Sequence, residues 1–200
     1  MSQLRKIVLT GGPSAGKTAV QQVAREQFGD RLILVPEAAT LLFSGGFPLP
    51  TSDETRRAAQ RAIYFVQREL EATFTAHAPA DAVVLCDRGT ADGAAYWKGT
   101  PDFFEAVGST REAEHARYHT VIHMAVPTAS GGYNLANPTR KETPEQAREV
   151  AAGIARAWAG HPRLFEVSNE TDFVQKLEHT LDLIREAMGM DAEHALDVGD

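Results

Sequence analysis

The sequence predicts a three-layer α/β/α protein in which helices cover both faces of a mostly parallel, five-stranded sheet. Five short apolar runs alternate with stretches of helical periodicity along the 200 residues, and no repeat or linker interrupts them. The run at 31–35 is continuously apolar after its first residue, as a strand buried on both faces is. Strands separated by helices pair in parallel through right-handed crossovers. We therefore expect a single domain over residues 1–190 and a loose tail at 191–200.

Each apolar run that defines a predicted strand stops at a polar residue or a turn signal. The first run leads into a glycine-rich segment, the second stops at Pro36-Glu37, and the third stops at Asp87. Because parallel strands end at the same edge of the sheet, polar residues at these ends are the candidates for chemistry. The predicted strands span 7–9, 31–35, 82–86, 120–126 and 163–167.

Helical spacing of apolar residues and N-terminal capping patterns predict the helices between these strands. The longest helix, 51–77, opens at Thr51-x-x-Glu54, which has the pattern of a capping box. Its apolar side is formed by Ala59, Ile63, Val66, Leu70 and Phe74. Short helices are predicted to start at Thr100-Pro101 and at Ser109-x-x-Glu112. The other predicted helices span 18–28, 38–43, 91–97, 143–159 and 172–188.

The composition excludes several classes of protein. A formal net charge of −7 argues against broad nucleic-acid binding, which needs a basic face. The sequence has no run of about 18 apolar residues, so no transmembrane helix is expected. Because the first residues lead directly into the first strand, no signal peptide is expected. The single cysteine, Cys86, fits a reducing cytoplasm and is expected to be a small core residue.

The glycine-rich segment after the first strand carries the most specific pattern in the chain. Gly11, four further residues, Gly16, Lys17 and Thr18 match G-x-x-x-x-G-K-[ST], the P-loop pattern of nucleotide-binding proteins. Small residues allow successive backbone N–H groups to surround a phosphate, and the following helix adds the positive end of its dipole. An ordinary glycine-rich turn between a strand and a helix is the alternative.

This pattern assigns roles to individual residues. Lys17 is expected to reach the β- and γ-phosphates of ATP or GTP, and the Thr18 hydroxyl to bind Mg²⁺. The predicted nucleotide contacts are Gly11, Gly12, Pro13, Ser14, Ala15, Gly16, Lys17, Thr18 and Ala19.

Charged residues at the next two strand ends are candidates for catalysis. Asp87 follows an apolar run, in the Walker-B manner that orients Mg²⁺, although a plain strand-end carboxylate would look the same. Glu37 is a candidate base for an acceptor hydroxyl, or alternatively an acid favoured at a helix N-terminus. Arg88 is expected to contact a phosphate, with a salt bridge to a nearby acid as the alternative.

The polar segment 127–143 is expected to be a mobile lid loop. Its Arg140 is a candidate arginine finger that closes over the transferring phosphoryl group, and a surface arginine beside Glu142 is the alternative. The fourfold spacing of His115, His119 and His123 is explained by ordinary core or surface histidines rather than by a metal site, because His123 lies in a predicted strand.

Several of these segments together carry a family resemblance. GGPSAGKT, PEAA, DRGTADGAAYW and NPTRKETPEQAREV, in this order, resemble an AAA-type ATP/GTP-binding family. That family is grouped with the NadR-like ribosylnicotinamide kinase domain and with TRPL-translocation-defect-like proteins. The resemblance implies a P-loop NTPase fold of the nucleoside- and nucleotide-kinase type. It further implies Asp87 and Arg88 at the phosphates, Arg140 in the lid and Asn169 near the nucleotide base.

Two functions follow from these residues. The first is a small-molecule kinase that uses Mg²⁺ and ATP or GTP, with either Glu37 or Asp87 as the base. Its acceptor, nucleoside- or ribosylnicotinamide-like, would lie between the loop 44–50, the long helix and Tyr96-Trp97. The second is a nucleotide-dependent switch or regulatory ATPase with no small-molecule acceptor. The identity of an acceptor, the choice between ATP and GTP, and the oligomeric state are left open by the sequence.

Overall fold

Five strands form one all-parallel sheet in the order β2-β3-β1-β4-β5, which confirms the predicted fold class. The computed structural model describes residues 4–126, 144–168 and 172–190. The predicted lid at 127–143 and the tail at 191–200 lie outside the described residues. The strands are β1 (Lys6–Gly11), β2 (Leu32–Val35), β3 (Val83–Asp87), β4 (Thr120–Met124) and β5 (Leu164–Val167).

Helices cover both faces of this sheet and separate the strands along the chain. They are α1 (Lys17–Phe28), α2 (Ala38–Ser44), α3 (Asp53–Thr75), α4 (Phe103–Ala106), α5 (Arg111–His115), α6 (Pro144–Trp158) and α7 (Phe173–Ala187). Two 3₁₀ helices add to these, Gly29–Arg31 and Thr90–Tyr96. The predicted helix at 91–97 is therefore a 3₁₀ helix, and β4 stops two residues before the predicted strand end.

Each face of the sheet has its own apolar core. On one face α1 and α7 pack over β1, and Val20, Ile184 and Ile7 there are fully buried. On the other face α3 and α6 cover the sheet, and the indole of Trp158 is fully buried there. Within the described ranges, no helix has both the length and the apolar character needed to cross a bilayer.

The start sites predicted for three helices are wrong by one or two residues. Ser52, not Thr51, caps α3: its hydroxyl accepts from the Thr55 N–H, and the Thr55 hydroxyl accepts from the Ser52 N–H. Asp102, rather than Thr100, caps α4, and Thr110, rather than Ser109, caps α5. Neighbouring side chains compete for the same cap, and the sequence pattern alone does not rank them.

The buried side of α3 also differs from its predicted apolar stripe. Phe74 is 41% exposed, whereas Gln60, Tyr64, Gln67 and Glu71 are buried. This helix packs on polar partners, because Glu71 accepts hydrogen bonds from Lys6 at 2.9 Å and from the Tyr118 hydroxyl at 2.6 Å. The predicted stripe is therefore only partly right: Ala59 is buried and Leu70 packs against the core, but the most buried side of the helix is displaced by one residue toward polar side chains.

Gly11, which ends β1, lets β1 and β4 approach closely at the carboxyl ends of the strands. Gly11 has φ 139°, and a Cβ there would stand 2.3 Å from the Met124 carbonyl oxygen of β4. Since that oxygen belongs to the backbone of a paired strand, it has no room to move aside. The P-loop thus leaves the sheet at a position that only glycine can occupy.

Replacing this buried glycine is expected to lower the stability of the fold strongly. Gly11→Ala should lower the free energy of unfolding by about 3 kcal/mol or more, because overpacking and backbone strain add. Gly108→Ala is the matched control, since Gly108 also has a positive φ, 69°, but nothing lies within 4 Å of the point where its Cβ would stand. That variant should lose only about 1 kcal/mol. Equal shifts of the urea midpoint in the two variants would contradict this account.

Candidate functional site

The first turn of α1 offers its backbone N–H groups to an anion. The residue that precedes the helix, Gly16, has φ 99°, and no side chain caps this end. The first turn carries no acidic residue, so nothing there opposes an anion. Ser14 also has a positive φ, 66°, which bends the backbone before the helix. Exposed N–H groups and the helix dipole together form the anion-binding arrangement expected of a P-loop.

Seven of the predicted site residues line one cavity of about 510 Å³. They are Pro13, Ser14, Lys17, Thr18, Glu37, Asp87 and Arg88. Gly11 ends β1, and Gly12, Ala15, Gly16 and Ala19 belong to the turn and the first turn of α1. Arg140 and Asn169 lie outside the described residues. The structure therefore brings three strand ends to one cavity, and the chemical roles of these residues stay predictions.

Arg88, which lines this cavity, donates hydrogen bonds to three other residues. Its Nε donates to Oε1 of Glu37 at 3.0 Å, and its Nη1 donates to the Gly11 carbonyl at 2.7 Å and to Asp92 at 3.3 Å. Burial disfavours its charge, but Tyr96, Asp92 and Glu37 outweigh burial and raise the pKa of Arg88. The alternative interpretation, a salt bridge to nearby acids, is therefore observed, and the contact of Arg88 with a phosphate stays a prediction.

Asp92 is a site residue that the sequence analysis missed. It is 5% exposed and lines the cavity. Besides Arg88, it accepts hydrogen bonds from the Thr10 hydroxyl and, at 2.6 Å, from the indole N–H of Trp158. The only local signal was its position four residues after Arg88 in a helical segment, which puts both side chains on one face. Its other two partners come from distant parts of the chain.

The two carboxylates predicted for catalysis have different environments. Burial raises the pKa of Glu37, but Arg88 and the Thr40 hydroxyl more than compensate and hold that pKa below its usual value. Burial raises the pKa of Asp87, and the nearby Lys17 only partly opposes this effect. Oδ1 of Asp87 is buried without a hydrogen-bond partner among the described residues. Glu37 is thus engaged through both oxygens, whereas Asp87 keeps an unused oxygen beside the P-loop.

The amine of Lys17 loses its proton more easily in this cavity than an ordinary lysine does. Burial, reinforced by the nearby guanidinium of Arg88, lowers the pKa of Lys17 to about 8. A lysine with such a pKa is poised to gain from a negatively charged ligand, because an anion nearby favours the protonated form.

Away from the P-loop, the cavity extends between α2, the loop 45–52 and α3. Both apolar and polar side chains line this part of the cavity: Ala38, Ala39, Phe43, Leu49, Pro50, Arg56, Gln60, Ile63, Tyr64 and Gln67. Of the two aromatic residues predicted for an acceptor, Tyr96 lines the cavity. Trp97 does not: its ring packs against Phe103, and its N–H donates to the Pro101 carbonyl at 2.9 Å.

The cysteine and all three evenly spaced histidines are absent from the lining of this cavity. Cys86 is fully buried in the core, as predicted, and burial raises the pKa of its thiol well above the usual value. His115 stacks on Trp158, with the ring centroids 5.3 Å apart, and His123 lies inside β4. These residues contribute to packing.

Comparison with known proteins identifies relatives of this arrangement. A family model described as an AAA domain matches residues 6–176. A structure of NadR protein in complex with NAD and AMP-PNP matches with a TM-score of 0.68 at 15% identity, covering 93% of this chain and 50% of its own. A structure of NadR protein in complex with NR also matches with a TM-score of 0.68, at 16% identity, covering 93% of this chain and 51% of its own.

The chain thus spans about half the length of these solved proteins, and at such identities the likeness concerns the fold. A search of curated proteins finds no match.

The lowered pKa of Lys17 predicts that the protein takes up a proton when a nucleotide binds. At pH 8.5 Lys17 should be deprotonated in roughly three quarters of the free protein molecules, and a bound triphosphate should restore the proton. Calorimetry at pH 8.5 in two buffers of different ionisation enthalpy measures this uptake. At pH 6.5, where the amine is already protonated, uptake at Lys17 should be close to zero.

Lys17→Arg is the matched control, because arginine keeps its charge at both pH values. Uptake at pH 8.5 that persists in this variant would contradict the assignment to Lys17.

Proposed function

This chain belongs to the AAA-domain family, and we propose that it is a phosphotransferase acting on a small molecule. It would move the γ-phosphoryl group of ATP or GTP to a hydroxyl group of a nucleoside-like acceptor. The observation that carries the proposal is the cavity of about 510 Å³, which begins at the P-loop and continues along α3. The single buried thiol, Cys86, is in keeping with a cytoplasmic enzyme.

The shape of this cavity favours a kinase over a nucleotide switch. A triphosphate held by the P-loop would occupy the end at Lys17 and Thr18, which leaves the part between α2 and α3 for a second molecule. Pockets of 300–1,000 Å³ with apolar walls and a few polar groups are typical of small-molecule sites. A switch without an acceptor has no need of this space.

The residues present fit a bound Mg²⁺. Oδ1 of Asp87 has no partner among the described residues, and the Thr18 hydroxyl lines the same cavity. Oxygen ligands of this kind, completed by phosphate oxygens, suit Mg²⁺. When bound, the ion would neutralise charge on the phosphates during transfer. Thr18 and Asp87 would hold it, directly or through water.

The remaining charged residues have roles on the two sides of the transferred group. The backbone N–H groups of the P-loop, Lys17 and Arg88 would bind the phosphates. The acceptor oxygen would attack the γ-phosphorus, the bond to the β–γ bridging oxygen would break, and the nucleoside diphosphate would leave. Glu37, at the start of α2 on the acceptor side, would take the hydroxyl proton. Asp87 would then be committed to the metal.

The class of acceptor that we propose is taken from the ligands of the solved relatives. One NadR structure contains NAD and AMP-PNP, and another contains NR, nicotinamide riboside. We extend a riboside-type acceptor to this chain because its cavity has room for a flat ring next to a P-loop. The relatives are about twice as long as this chain, and the proposal assigns the riboside to the half that this chain matches.

The proposal predicts that an acceptor stimulates nucleotide turnover. ADP formation should rise at least about tenfold when a suitable riboside joins ATP and Mg²⁺, because attack by a positioned hydroxyl replaces attack by water. Lys17→Ala should abolish this stimulation, and Glu37→Gln should reduce it by about 10²-fold or more. The assay combines ADP production with mass spectrometry of the acceptor for a gain of one phosphate. Turnover that no riboside alters, with no phosphorylated product, would favour the switch instead.

A second prediction separates the two carboxylates. Asp87→Asn should raise the Mg²⁺ concentration for half-maximal activity by about 10-fold or more, because a metal ligand loses its charge. Glu37→Gln should leave that concentration unchanged and lower the maximal rate instead. Titrations of both variants with Mg²⁺ at saturating ATP provide the measurement. The reverse pattern would exchange the two roles.

A further inference from the structure

Helix α3 turns one of its phenylalanines toward solvent. Phe65 is 53% exposed, and helical spacing places it opposite the buried side of the helix. Its ring meets the Tyr64 ring edge-on, with the centroids 5.1 Å apart. One exposed apolar residue is ordinary on a protein surface, and it is the residues around Phe65 that give it a meaning.

These residues form one continuous surface along the helix. Spacings of three and four residues put them on the same side as Phe65, and none of them is buried. We call this surface the α3 stripe, and it consists of Ala58, Arg61, Ala62, Phe65, Arg68, Glu69 and Ala72. The stripe therefore presents an apolar centre between small and charged side chains.

Two charges of the α3 stripe have no partner within the described part of the chain. Neither Arg61 nor Glu69 forms an ion pair with any residue that the structure describes. Arg68, by contrast, folds back and donates to the Tyr64 hydroxyl at 2.8 Å. Arg61 and Glu69 stand about 12 Å apart along the helix axis, at about 1.5 Å per residue, so they do not pair with each other. Their charges are thus available to another molecule.

The order of residues in the α3 stripe is complementary to itself. Ala58 and Ala72 lie seven positions before and after Phe65, and Arg61 and Glu69 lie four positions before and after it. In a second copy laid antiparallel on the first, with Phe65 at the two-fold axis, Arg61 faces the partner's Glu69. Ala58 then faces the partner's Ala72, and such small residues let two helices approach closely.

Other arrangements of two helices do not use these charges. In a parallel pair each residue meets its own copy, so Arg61 would face the partner's Arg61 and Glu69 the partner's Glu69. Like charges set against each other disfavour that complex. The sequence of the stripe thus selects both the occupant, which is a second copy of this chain, and its direction.

We infer that the α3 stripe is the interface of a homodimer in which two α3 helices pack antiparallel about Phe65. Each of the two Arg61–Glu69 contacts occurs once on either side of the axis, and the two Phe65 rings meet at the centre. This inference concerns the assembly of the chain and does not depend on the proposed kinase function.

The length of the stripe sets the strength of association that we expect. From Ala58 to Ala72 it spans about 21 Å, which is short for an interface between proteins. The dimer should therefore dissociate on dilution. Sedimentation velocity of the full chain, from micromolar to millimolar concentration, should show a monomer that gives way to a dimer.

Charge reversal tests the antiparallel pairing directly. Arg61→Glu and Glu69→Arg should each weaken dimerisation by at least about tenfold, because two like-charge contacts replace two ion pairs. Mixed together, the two variants should form a heterodimer, since every contact across the axis is then between opposite charges. The double variant Arg61→Glu/Glu69→Arg should dimerise as the wild type does.

Two further variants separate recognition from general effects of charge or stability. Glu26→Arg, on the exposed side of α1, makes the same change in net charge as Glu69→Arg and should leave dimerisation unchanged. Phe65→Ala should weaken the dimer by about tenfold or more, as loss of a central aromatic contact does. At concentrations where the protein is monomeric, it should unfold at the wild-type temperature, because the side chain is exposed.

The outcomes that overturn the inference are equally distinct. A wild-type chain that stays monomeric at millimolar concentration overturns it and leaves the α3 stripe to another partner. A wild-type dimer that Phe65→Ala and both charge reversals leave intact places the interface elsewhere and also overturns it. So does a mixture of Arg61→Glu and Glu69→Arg in which no heterodimer forms. Recovery of the dimer in that mixture supports the inference whether or not the chain phosphorylates any acceptor.

Discussion

One guanidinium joins the strand ends on which the candidate site is built. Arg88 follows β3, yet it donates to the Gly11 carbonyl at the end of β1 and to Glu37 after β2. Its backbone has φ 77°, a conformation that costs a non-glycine residue on the order of 1–3 kcal/mol. Charge-assisted hydrogen bonds in a partly buried setting offset that cost. The P-loop and the carboxylates around it are thereby held in a single arrangement.

The wall opposite the P-loop is fixed by buried carboxylates. Glu71 and Glu114 both pair with Arg117, and Glu114 also accepts from the hydroxyls of Tyr64 and Thr90, both at 2.7 Å. Burial opposes the charge of Glu114, but hydrogen bonds from its neighbours hold its pKa below the usual value. Such a network adds little net stability, whereas losing one partner is strongly destabilising. It therefore specifies where α3 stands and so which side chains face the cavity.

The predictable part of this protein was the part encoded locally. The P-loop and the polar strand ends at Glu37 and Asp87 follow from short patterns, and so does the parallel sheet. Contacts between distant segments were not predictable, and this is why Asp92 and the polar side of α3 were missed. Apolar periodicity assumes an apolar partner, but Glu71 meets Lys6 instead. The roles assigned to Arg140 and Asn169 stay predictions.

The buried indole beside Asp92 gives the protein an optical reporter of its own. Trp158 is fully buried and hydrogen-bonded to Asp92, and its ring lies 2.6 Å from where a Cβ of Gly89 would stand. Only one other tryptophan occurs in the sequence, Trp97, and it lies outside the cavity. An indole bound to a carboxylate that also holds Arg88 experiences any change of charge there. We therefore expect the intrinsic fluorescence of Trp158 to change when a charged ligand binds beside Arg88, and Trp97→Phe leaves Trp158 as the single tryptophan in the chain.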